Sequence, residues 1–447
     1  MAISKETAKK YGTCTVIAAW LAVFCLFGYR SSFSIMQTSL VDGMGWTSTQ
    51  ASLGYCFMMT FYAITAFFSG SLIDKRGTKP TYIIGAICCF LGFFLTSFIP
   101  EGVSWSFPVY LLSYGVFAGV GTGMLWVSST ISCRKWYVGA SYGSKWGLAF
   151  MGAPMAQLLL TIVVSPVLKN AGWSMGMKLL SVIMAVMLLI AAAVAKPMPD
   201  KIGAQPFGLD SLPKKDENAK PARTWTVGEA FKTRALWCDI FAFMFAVMGE
   251  FLIWSQVVRF FTIDLGWTQE SLFGMPLANV VYMLIGFAGI FAMPITGKIS
   301  DALVVKMGVE RPARRLMLVV SPLFGIAGVL CALTGNFPIV CLGMVLLSVY
   351  WGIEPGGAAG YAGTVFGGAS LGRIWGLSTL IIMGIGPSFG TFMGAFLFDM
   401  TGAWRALPIY ACIMTTLSAI VFISLVKNIK AKKVANVVGI EALDSGD

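Results

Sequence analysis

Histidine is absent from the sequence. The commonest transition-metal ligand is therefore missing, and so is the one side chain that titrates near neutrality unaided. Any proton this chain carries has to ride on a carboxylate or on the substrate. Charge is scarce: 12% of the 447 residues are Asp, Glu, Lys or Arg, against about 25% in a soluble domain. No Cys-x-x-Cys pair occurs among the ten cysteines, and Cys25, Cys56, Cys88, Cys89, Cys331, Cys341 and Cys412 lie inside apolar runs. Neither a metal site nor a disulfide framework is indicated. There is no nucleophile–base pair. The glycines at Gly119, Gly121 and Gly123 lack the lysine that a phosphate-binding loop sets directly after its glycines, and close helix contact explains them better. The expectation is a protein that is not an enzyme and holds no metal and no cofactor.

What fills the chain is apolar sequence. Hydrophobic residues make up 57% and the mean hydropathy is +0.79, arranged in runs long enough to span a bilayer at about 20 residues each. Twelve candidate spans run over 13–39, 48–73, 80–99, 105–132, 143–167, 173–196, 235–262, 271–296, 314–334, 337–361, 371–397 and 405–427. The first is too long for the core of a cleavable signal peptide and lacks a small-residue cleavage site. An even number of spans puts both ends on one side. All but five of the 32 basic residues (Arg30, Lys169, Lys178, Arg259 and Arg405) fall on that side, so both termini are expected to be cytoplasmic. The formal net charge of +12 then reflects orientation in a membrane rather than nucleic-acid binding. The expected location is the cell (inner) membrane.

One polar stretch, Pro197 to Arg234, interrupts the series. It is rich in proline, lysine and aspartate, shows no apolar period, and reads as a cytoplasmic linker over 197–234. It separates an N-terminal bundle (1–196) from a C-terminal one (235–433), and residues 434–447 read as a disordered tail. The halves echo each other. Asp42-Gly43-Met44-Gly45-Trp46-Thr47 resembles Asp264-Leu265-Gly266-Trp267-Thr268, and Gly70 to Asp74 resembles Gly297 to Asp301. Trp146-Gly147-Leu148 matches Trp375-Gly376-Leu377, and Ala171-Gly172-Trp173 echoes Gly402-Ala403-Trp404. The fold class expected is an all-α membrane protein with twelve transmembrane helices in two six-helix bundles, the layout of a rocking transporter.

The stretch Gly70-Ser71-Leu72-Ile73-Asp74-Lys75-Arg76-Gly77-Thr78-Lys79 resembles the signature loop of the major facilitator superfamily, G-x-x-x-D-[RK]-x-G-[RK]-[RK], departing only at Thr78. The second copy keeps Gly297 and Asp301 but has Ala302 where a basic residue is expected. The resemblance implies a cytoplasmic gate built from Gly70, Asp74, Lys75, Gly77, Lys79 and Asp301. Glycine permits close helix approach, and an aspartate can cap a helix N-terminus or pair with a cation. Trp136-Tyr137, Tyr142-Gly143 and Gly147, with Gly386-Pro387, Gly390, Gly394, Asp399, Thr401 and Gly402, resemble the oxalate/formate and monocarboxylate porters. Gly28-Tyr29-Arg30 resembles the intramembrane arginine of organic-anion symporters and organophosphate antiporters. Leu236-Trp237 and Trp254-Ser255 also resemble those antiporters, but the antiporters' second arginine would fall at Glu250.

A charge inside a span costs about 2.5 kcal/mol or more unless it meets water or a partner, so each is a candidate. Arg30 lies 16 residues before Trp46, deep in the first span, and offers a permanently charged planar fork suited to a carboxylate. Glu250 is the pseudo-symmetric neighbour of Tyr29, since aligning Trp46 with Trp267 sets Arg30 opposite Phe251. Glu354 stands in Tyr350-Trp351-Gly352-Ile353-Glu354-Pro355-Gly356-Gly357, where proline and paired glycines predict a broken helix. Tyr350 shares a face with it. Arg259 sits near the end of its span, suited to substrate entry or interfacial anchoring. Of the central aromatics Tyr29, Tyr62, Trp126, Trp254 and Trp351, the resemblance implies that the last three line a cavity. The reading is a transporter of a small organic anion, a mono- or dicarboxylate. Arg30, Tyr29, Tyr62, Trp126, Glu250, Trp254, Tyr350 and Trp351 bind substrate, and Glu250 or Glu354 carries a proton in symport, unless transport is anion exchange. A zwitterion carrier, an organophosphate carrier and a non-transporting sensor are the rivals. The partners expected are substrate, lipid and protons, without nucleic acid, and the chain is expected to work as a monomer.

Overall fold

The computed structural model describes residues 4–211, 225–366 and 371–431, with side chains for all of these except 355 and 422–431. The tail expected from residue 434 and the centre of the linker, 212–224, lie outside the described residues. The helices are α1 (Lys5–Met44), α2 (Ser48–Arg76), α3 (Lys79–Thr96) and α4 (Ser106–Trp136). Then come α5 (Tyr142–Phe150) and α6 (Gly152–Val194). The second half holds α7 (Arg234–Arg259), α8 (Leu277–Met307), α9 (Glu310–Leu333), α10 (Phe337–Phe366), α11 (Leu371–Thr401) and α12 (Ala406–Ala431).

Among the described residues, ten helices are long and apolar enough to cross a membrane. One of them, Gly139–Lys201, has 63 residues. Straight, it would be about 95 Å long, three times the roughly 30 Å hydrocarbon core. It does not run straight. Gly172 adopts φ 75° and ψ 178°, which only glycine takes up readily, and the chain reverses there. A Cβ at Gly176 would press on Leu168 of the other arm. This helix supplies two crossings, and the apolar part of α12, Ala406–Val421, supplies the twelfth. Large apolar side chains point away from the body on span after span, among them Ile87, Val186, Phe287, Phe291, Leu323 and Ile413. A soluble protein would not leave so much apolar surface open. Lipid explains it.

Helix ends follow local chemistry. Thr47 caps α2 in a reciprocal box with Gln50: the Gln50 N–H donates to Thr47 Oγ1 at 3.1 Å, and the Thr47 N–H donates to Gln50 Oε1 at 2.9 Å. Gly45 closes α1 at φ 67°. The N-terminal half packs on the C-terminal half through α2 against α11, α5 and α6 against α8, and α1 against α7. Backbones meet closely at these seams. A Cβ on Gly143 or on Gly297 would collide with the other's carbonyl oxygen, and one on Gly70 would collide with Gly372.

Two expectations need correcting. The sequence pattern at Glu354-Pro355-Gly356-Gly357 predicts a break, but α10 is helical from Phe337 to Phe366. The glycines serve packing instead: Gly356 lies under the Trp146 indole of α5 and Gly357 under Leu318 of α9. In lipid a weakened helix has no water to unravel into. The eighth span starts at Leu277 rather than 271. The first part of the linker packs against the end of α4. Phe207 stacks on Trp136 and Tyr137, and its N–H donates to the Trp136 carbonyl at 2.8 Å.

Candidate functional site

The face from which α1 starts is called the terminal face, and the opposite one the far face. Midway between them, Arg30 of α1 is 4% exposed. Its guanidinium carbon sits 4.4 Å from the ring centre of Phe27, 5.7 Å from Tyr29, 5.4 Å from Tyr62 and 4.3 Å from Phe251. Three of these rings come from the N-terminal half and one from α7. Each ring face contributes about 0.5–2 kcal/mol to holding the cation. Arg30 Nε donates to the Tyr29 hydroxyl at 3.2 Å, which in turn donates to Met59 Sδ at 3.1 Å. Arg30 Nη2 is buried without a hydrogen-bond partner among the described residues.

The aromatic side chains named from sequence gather around this cage. Phe27 bridges to Trp126 (centroids 6.3 Å apart) and to Trp351 (5.3 Å), and Trp351 contacts Trp254 at 4.4 Å. Trp254 reaches Tyr282 of α8 at 6.0 Å, and Phe150 of α5 fills the gap between Trp126 and Trp351. The cluster thus joins α1, α4 and α5 of one half to α7, α8 and α10 of the other.

Glu250 lies one turn before Trp254 and next to Phe251. It is buried, and among the described residues its Oε2 has no hydrogen-bond partner and it forms no ion pair within 4.0 Å. Glu354 stands apart from Arg30. Its Oε1 accepts from Ser321 Oγ of α9 at 2.5 Å, and its Oε2 has no partner among the described residues. Tyr350 lies against Gly325 of α9, with its hydroxyl unpartnered among the described residues. Both residues lie inside the C-terminal half. Arg259, also buried, has its guanidinium 5.5 Å from the Phe398 ring and 5.6 Å from Trp404.

The centre is shut off on both sides. At the terminal face Arg134 of α4 grips Glu310 of α9 with two hydrogen bonds, 2.5 and 2.9 Å. Arg314 donates to Ser300 (2.6 Å), to the Gly139 carbonyl (2.8 Å) and to Asp301 (3.1 Å), and lies 3.4 Å from Glu310. Asp301 accepts from the Gly143 N–H at 2.8 Å, the Ser144 N–H at 2.6 Å and the Ser144 hydroxyl at 2.5 Å, so it caps α5 across the seam. At the far face Asp399 of α11 accepts from the Thr49 N–H at 3.0 Å and from the Thr49 hydroxyl. Ser52 accepts from Gln37 at 3.0 Å and from Gln256 at 3.2 Å. Lys169 pairs with Glu270 in the open, where an ion pair contributes about 0–1 kcal/mol. A cavity of about 30 Å³ lies toward the terminal face by Trp146, Thr296 and Arg314, room for little more than water.

The residues of the signature loop divide. Gly70 makes the close approach to Gly372, and the Asp74 carboxylate lies against the same Gly372. Asp74 pairs with Lys135 of α4 at 3.1 Å rather than capping a helix by any hydrogen bond among the described residues. Gly77 ends α2 at φ 79°. Lys75 and Lys79 point into the open. The cap belongs to Asp301 of the degenerate second copy.

Three groups escaped sequence reasoning. Phe27 and Phe251 carry no charge to draw notice; only the Trp46–Trp267 alignment, which sets Phe251 opposite Arg30, pointed there. Arg134, Arg314 and Glu310 read as ordinary loop charges. Asp239, five residues into α7, is a third: it is 1% exposed with both carboxylate oxygens unpartnered among the described residues.

The sequence profile described as Major Facilitator Superfamily matches residues 19–382. Among curated proteins, the chain is similar to the MFS-type transporter dbaD of Emericella nidulans, 24% identical over 183 residues, which is 40% of this chain and 40% of that protein. It is also similar to the MFS-type transporter eupM of Phoma sp, 25% identical over 40% of this chain and 62% of that protein. The chain therefore matches less than two thirds of either relative's length. Among solved structures it resembles the xylose transporter XylE from E. coli in a partially occluded inward-open conformation, with TM-score 0.64, 12% identity, and coverage of 93% of this chain and 98% of that one. It also resembles FucP in the outward conformation, with TM-score 0.59, 14% identity, and coverage of 91% and 98%. At these identities the likeness is one of fold.

Proposed function

This chain belongs to the major facilitator superfamily, and on that premise we propose that it is a secondary active transporter. It moves a small organic anion, a mono- or dicarboxylate, by alternating access of its two halves to a site centred on Arg30. The observation that carries this reading is the Arg30 guanidinium: buried between the halves and, among the described residues, held by rings rather than by an acid and left with Nη2 unpartnered. An unsatisfied buried donor costs about 1–3 kcal/mol, more when charged. A carboxylate on the fork would recover that cost and add charge-assisted bonds. The rings of Trp126, Trp254 and Trp351 would then exclude water around the bound anion.

Coupling is proton symport through Glu250 or Glu354, or exchange of one anion for another. The terminal face is the cytoplasmic one by the basic-residue count, in a cell (inner) membrane. The protein works as a monomer, with bundles at 1–196 and 235–433 joined by the 197–234 linker. The Arg134–Glu310–Arg314–Asp301 cluster and the Asp399–Thr49 contact are its inner and outer gates. Gly70, Asp74 and Asp301 line the inner seam; Gly77 shapes the loop, and Lys75 and Lys79 face the cytoplasm.

A second reading has one observation in its favour. Glu250 Oε2 has no partner among the described residues and lies on the helix that faces Arg30, so a zwitterion could engage both charges.

The test is uptake into proteoliposomes of radiolabelled formate, lactate, oxalate, an amino acid, a sugar phosphate and xylose. Each is run with an inward proton gradient and again with the same compound preloaded. Uptake confined to carboxylates supports the anion reading. Uptake of the amino acid alone moves the assignment to the zwitterion, and uptake of xylose alone removes Arg30 as the substrate anchor.

A further inference from the structure

We propose that the linker segment 198–211 is a strap that positions the terminal-face gate, and that Ser211 is the positioning residue through which it acts. Calling the Arg134–Glu310–Arg314–Asp301 cluster a gate rests on the transport reading above. The coupling of the strap to that cluster rests on geometry alone.

The loop 137–141 joins α4 to α5. From Gly139 to Ser144 the backbone carries much of what the N-terminal half offers at this face. The Gly139 carbonyl accepts from Arg314 Nη2 at 2.8 Å, and the Gly143 and Ser144 N–H groups donate to Asp301 at 2.8 and 2.6 Å. These bonds across the seam need the loop in one conformation, with Gly139 at φ 54°. Ordering each loop residue costs conformational entropy, and other contacts have to offset it.

The linker makes those contacts. Phe207 pairs with Tyr137 in a parallel bridge. Its N–H donates to the Trp136 carbonyl at 2.8 Å, and its carbonyl accepts from the Val138 N–H at 2.9 Å and from the Ser141 hydroxyl at 2.8 Å. Gly208 follows at φ 91°. A Cβ there would lie 2.2 Å from the Val138 carbonyl oxygen, so only glycine lets the strap lie this close. Upstream, Lys201 donates to the Lys75 carbonyl in the last turn of α2 at 2.5 Å, and Asp200 lies 3.7 Å from Lys135.

Ser211 makes the contact that reaches the gate. Its hydroxyl donates to the Gly208 carbonyl at 2.6 Å, which leaves its lone pairs free to accept from the Ala140 N–H at 2.8 Å. That N–H belongs to the same peptide unit as the Gly139 carbonyl. The unit is planar and trans, so its N–H and C=O point in opposite directions. The N–H faces the strap, and the C=O faces Arg314 across the seam. Turning the plane to release one partner releases the other. A hydrogen bond at each end also polarises the peptide and strengthens both bonds. Ser211 of the linker and Arg314 of the C-terminal half thus hold the two ends of one rigid plate. The linker is thereby an input to the gate: whatever draws Ser211 off the loop loosens the grip of Arg314.

The experiment is residue-resolved hydrogen exchange on the full-length chain in nanodiscs, without substrate. Loss of one net hydrogen bond shifts a closed–open balance about fivefold. In Ser211→Ala the Gly143 and Ser144 amides, which bond to Asp301 rather than to the linker, should therefore exchange about fivefold faster than in wild type. Ser211→Thr keeps the hydroxyl and should restore the wild-type rate. Coupling is reciprocal, so Arg314→Met should speed exchange at the Ala140 amide by a similar factor. A linker that merely packs on the loop would speed Val138 and Ala140 alone in Ser211→Ala. Unchanged rates at Gly143 and Ser144 in that variant overturn the proposal, and so does an unchanged Ala140 rate in Arg314→Met. Substrate plays no part in this readout. If wild type moves no member of the transport panel, the transport reading falls and the strap is still decided by the exchange rates. If the panel is transported while Gly143 and Ser144 ignore Ser211→Ala, the strap falls and the transport reading stands.

Discussion

Asp301 and Asp399 stand at opposite faces of the molecule and make the same contact. Each is a carboxylate of the C-terminal half that accepts from the first backbone N–H groups of a helix in the N-terminal half: Asp301 from Gly143 and Ser144 of α5, Asp399 from Thr49 of α2. A helix N-terminus attracts an anion through its unpaired donors and its dipole. Both seams are closed by the same device, and each can be released by pulling one helix end off one carboxylate.

Asp399→Ala should loosen the far face only. Losing such a cap costs about 1 kcal/mol, which is roughly fivefold in the balance between closed and open. Cys56 of α2 lies in this seam, its thiol 3.4 Å from the Ser388 carbonyl of α11. A membrane-impermeant maleimide, read by peptide mass spectrometry, should label Cys56 several-fold faster in the variant. Equal labelling rates would assign the far-face closure to other contacts.

Arg134→Gln strands Glu310. Breaking one member of a buried pair typically costs about 3–5 kcal/mol, whereas replacing both with apolar residues is often neutral. Arg314 at 3.4 Å partly covers the loss, so the lower end is expected. The thermal midpoint in detergent should therefore rank wild type and Arg134→Met/Glu310→Leu together, with Arg134→Gln clearly below. A double variant as unstable as the single one would contradict the pairing argument.

Gly143→Val places side-chain atoms where the Gly297 carbonyl now sits. The seam between α5 and α8 has to part at the terminal face, because backbone cannot yield as a flexible side chain can. Spin labels at Lys145 and Lys306 in a cysteine-depleted background should show a longer and broader distance distribution. The same substitution at Gly228, which has no atom within 4 Å of a built Cβ, is the control and should leave the distribution unchanged.

Arg30→Gln removes the charge and Arg30→Lys removes the fork while keeping the charge. Losing a charge-assisted hydrogen bond costs about 1.5–3 kcal/mol, so uptake by the glutamine variant should fall tenfold or more at unchanged membrane expression. The lysine variant should lie between it and wild type. Normal saturable uptake by Arg30→Gln would sink the assignment of Arg30 as substrate anchor.

Much of the fold is legible because lipid imposes a simple rule: long apolar runs must become helices. That rule set the number of crossings and the break between the fifth and sixth at Ala171-Gly172-Trp173. It does not reveal how a helix behaves once packed. Pro355, Gly356 and Gly357 would break a helix in water, yet α10 continues through them because Trp146 and Leu318 press on the glycines. The site is half legible. A charge in a span announces itself, so Arg30, Glu250 and Glu354 stand out. Their surroundings do not: Phe251 looks like any other apolar residue until α7 folds against α1. Pairings such as Arg134 with Glu310, 176 positions apart, cannot be read from spacing. Asp239 was hidden by position, since a charge near a span end is ordinarily solvated.

The reversal at Gly172 bears on how this protein can be handled. With a single residue turning the chain between the fifth and sixth crossings, there is no loop there to receive an epitope, a glycosylation acceptor or a protease site. A reporter inserted at that corner would force the two arms apart, and a negative result would describe the damage rather than the side of the membrane. Reporters belong instead in 97–105 and 265–276, which join α3 to α4 and α7 to α8 and emerge on the same face as Gly172. Their accessibility from intact cells would assign the sidedness of the whole chain without disturbing a helix.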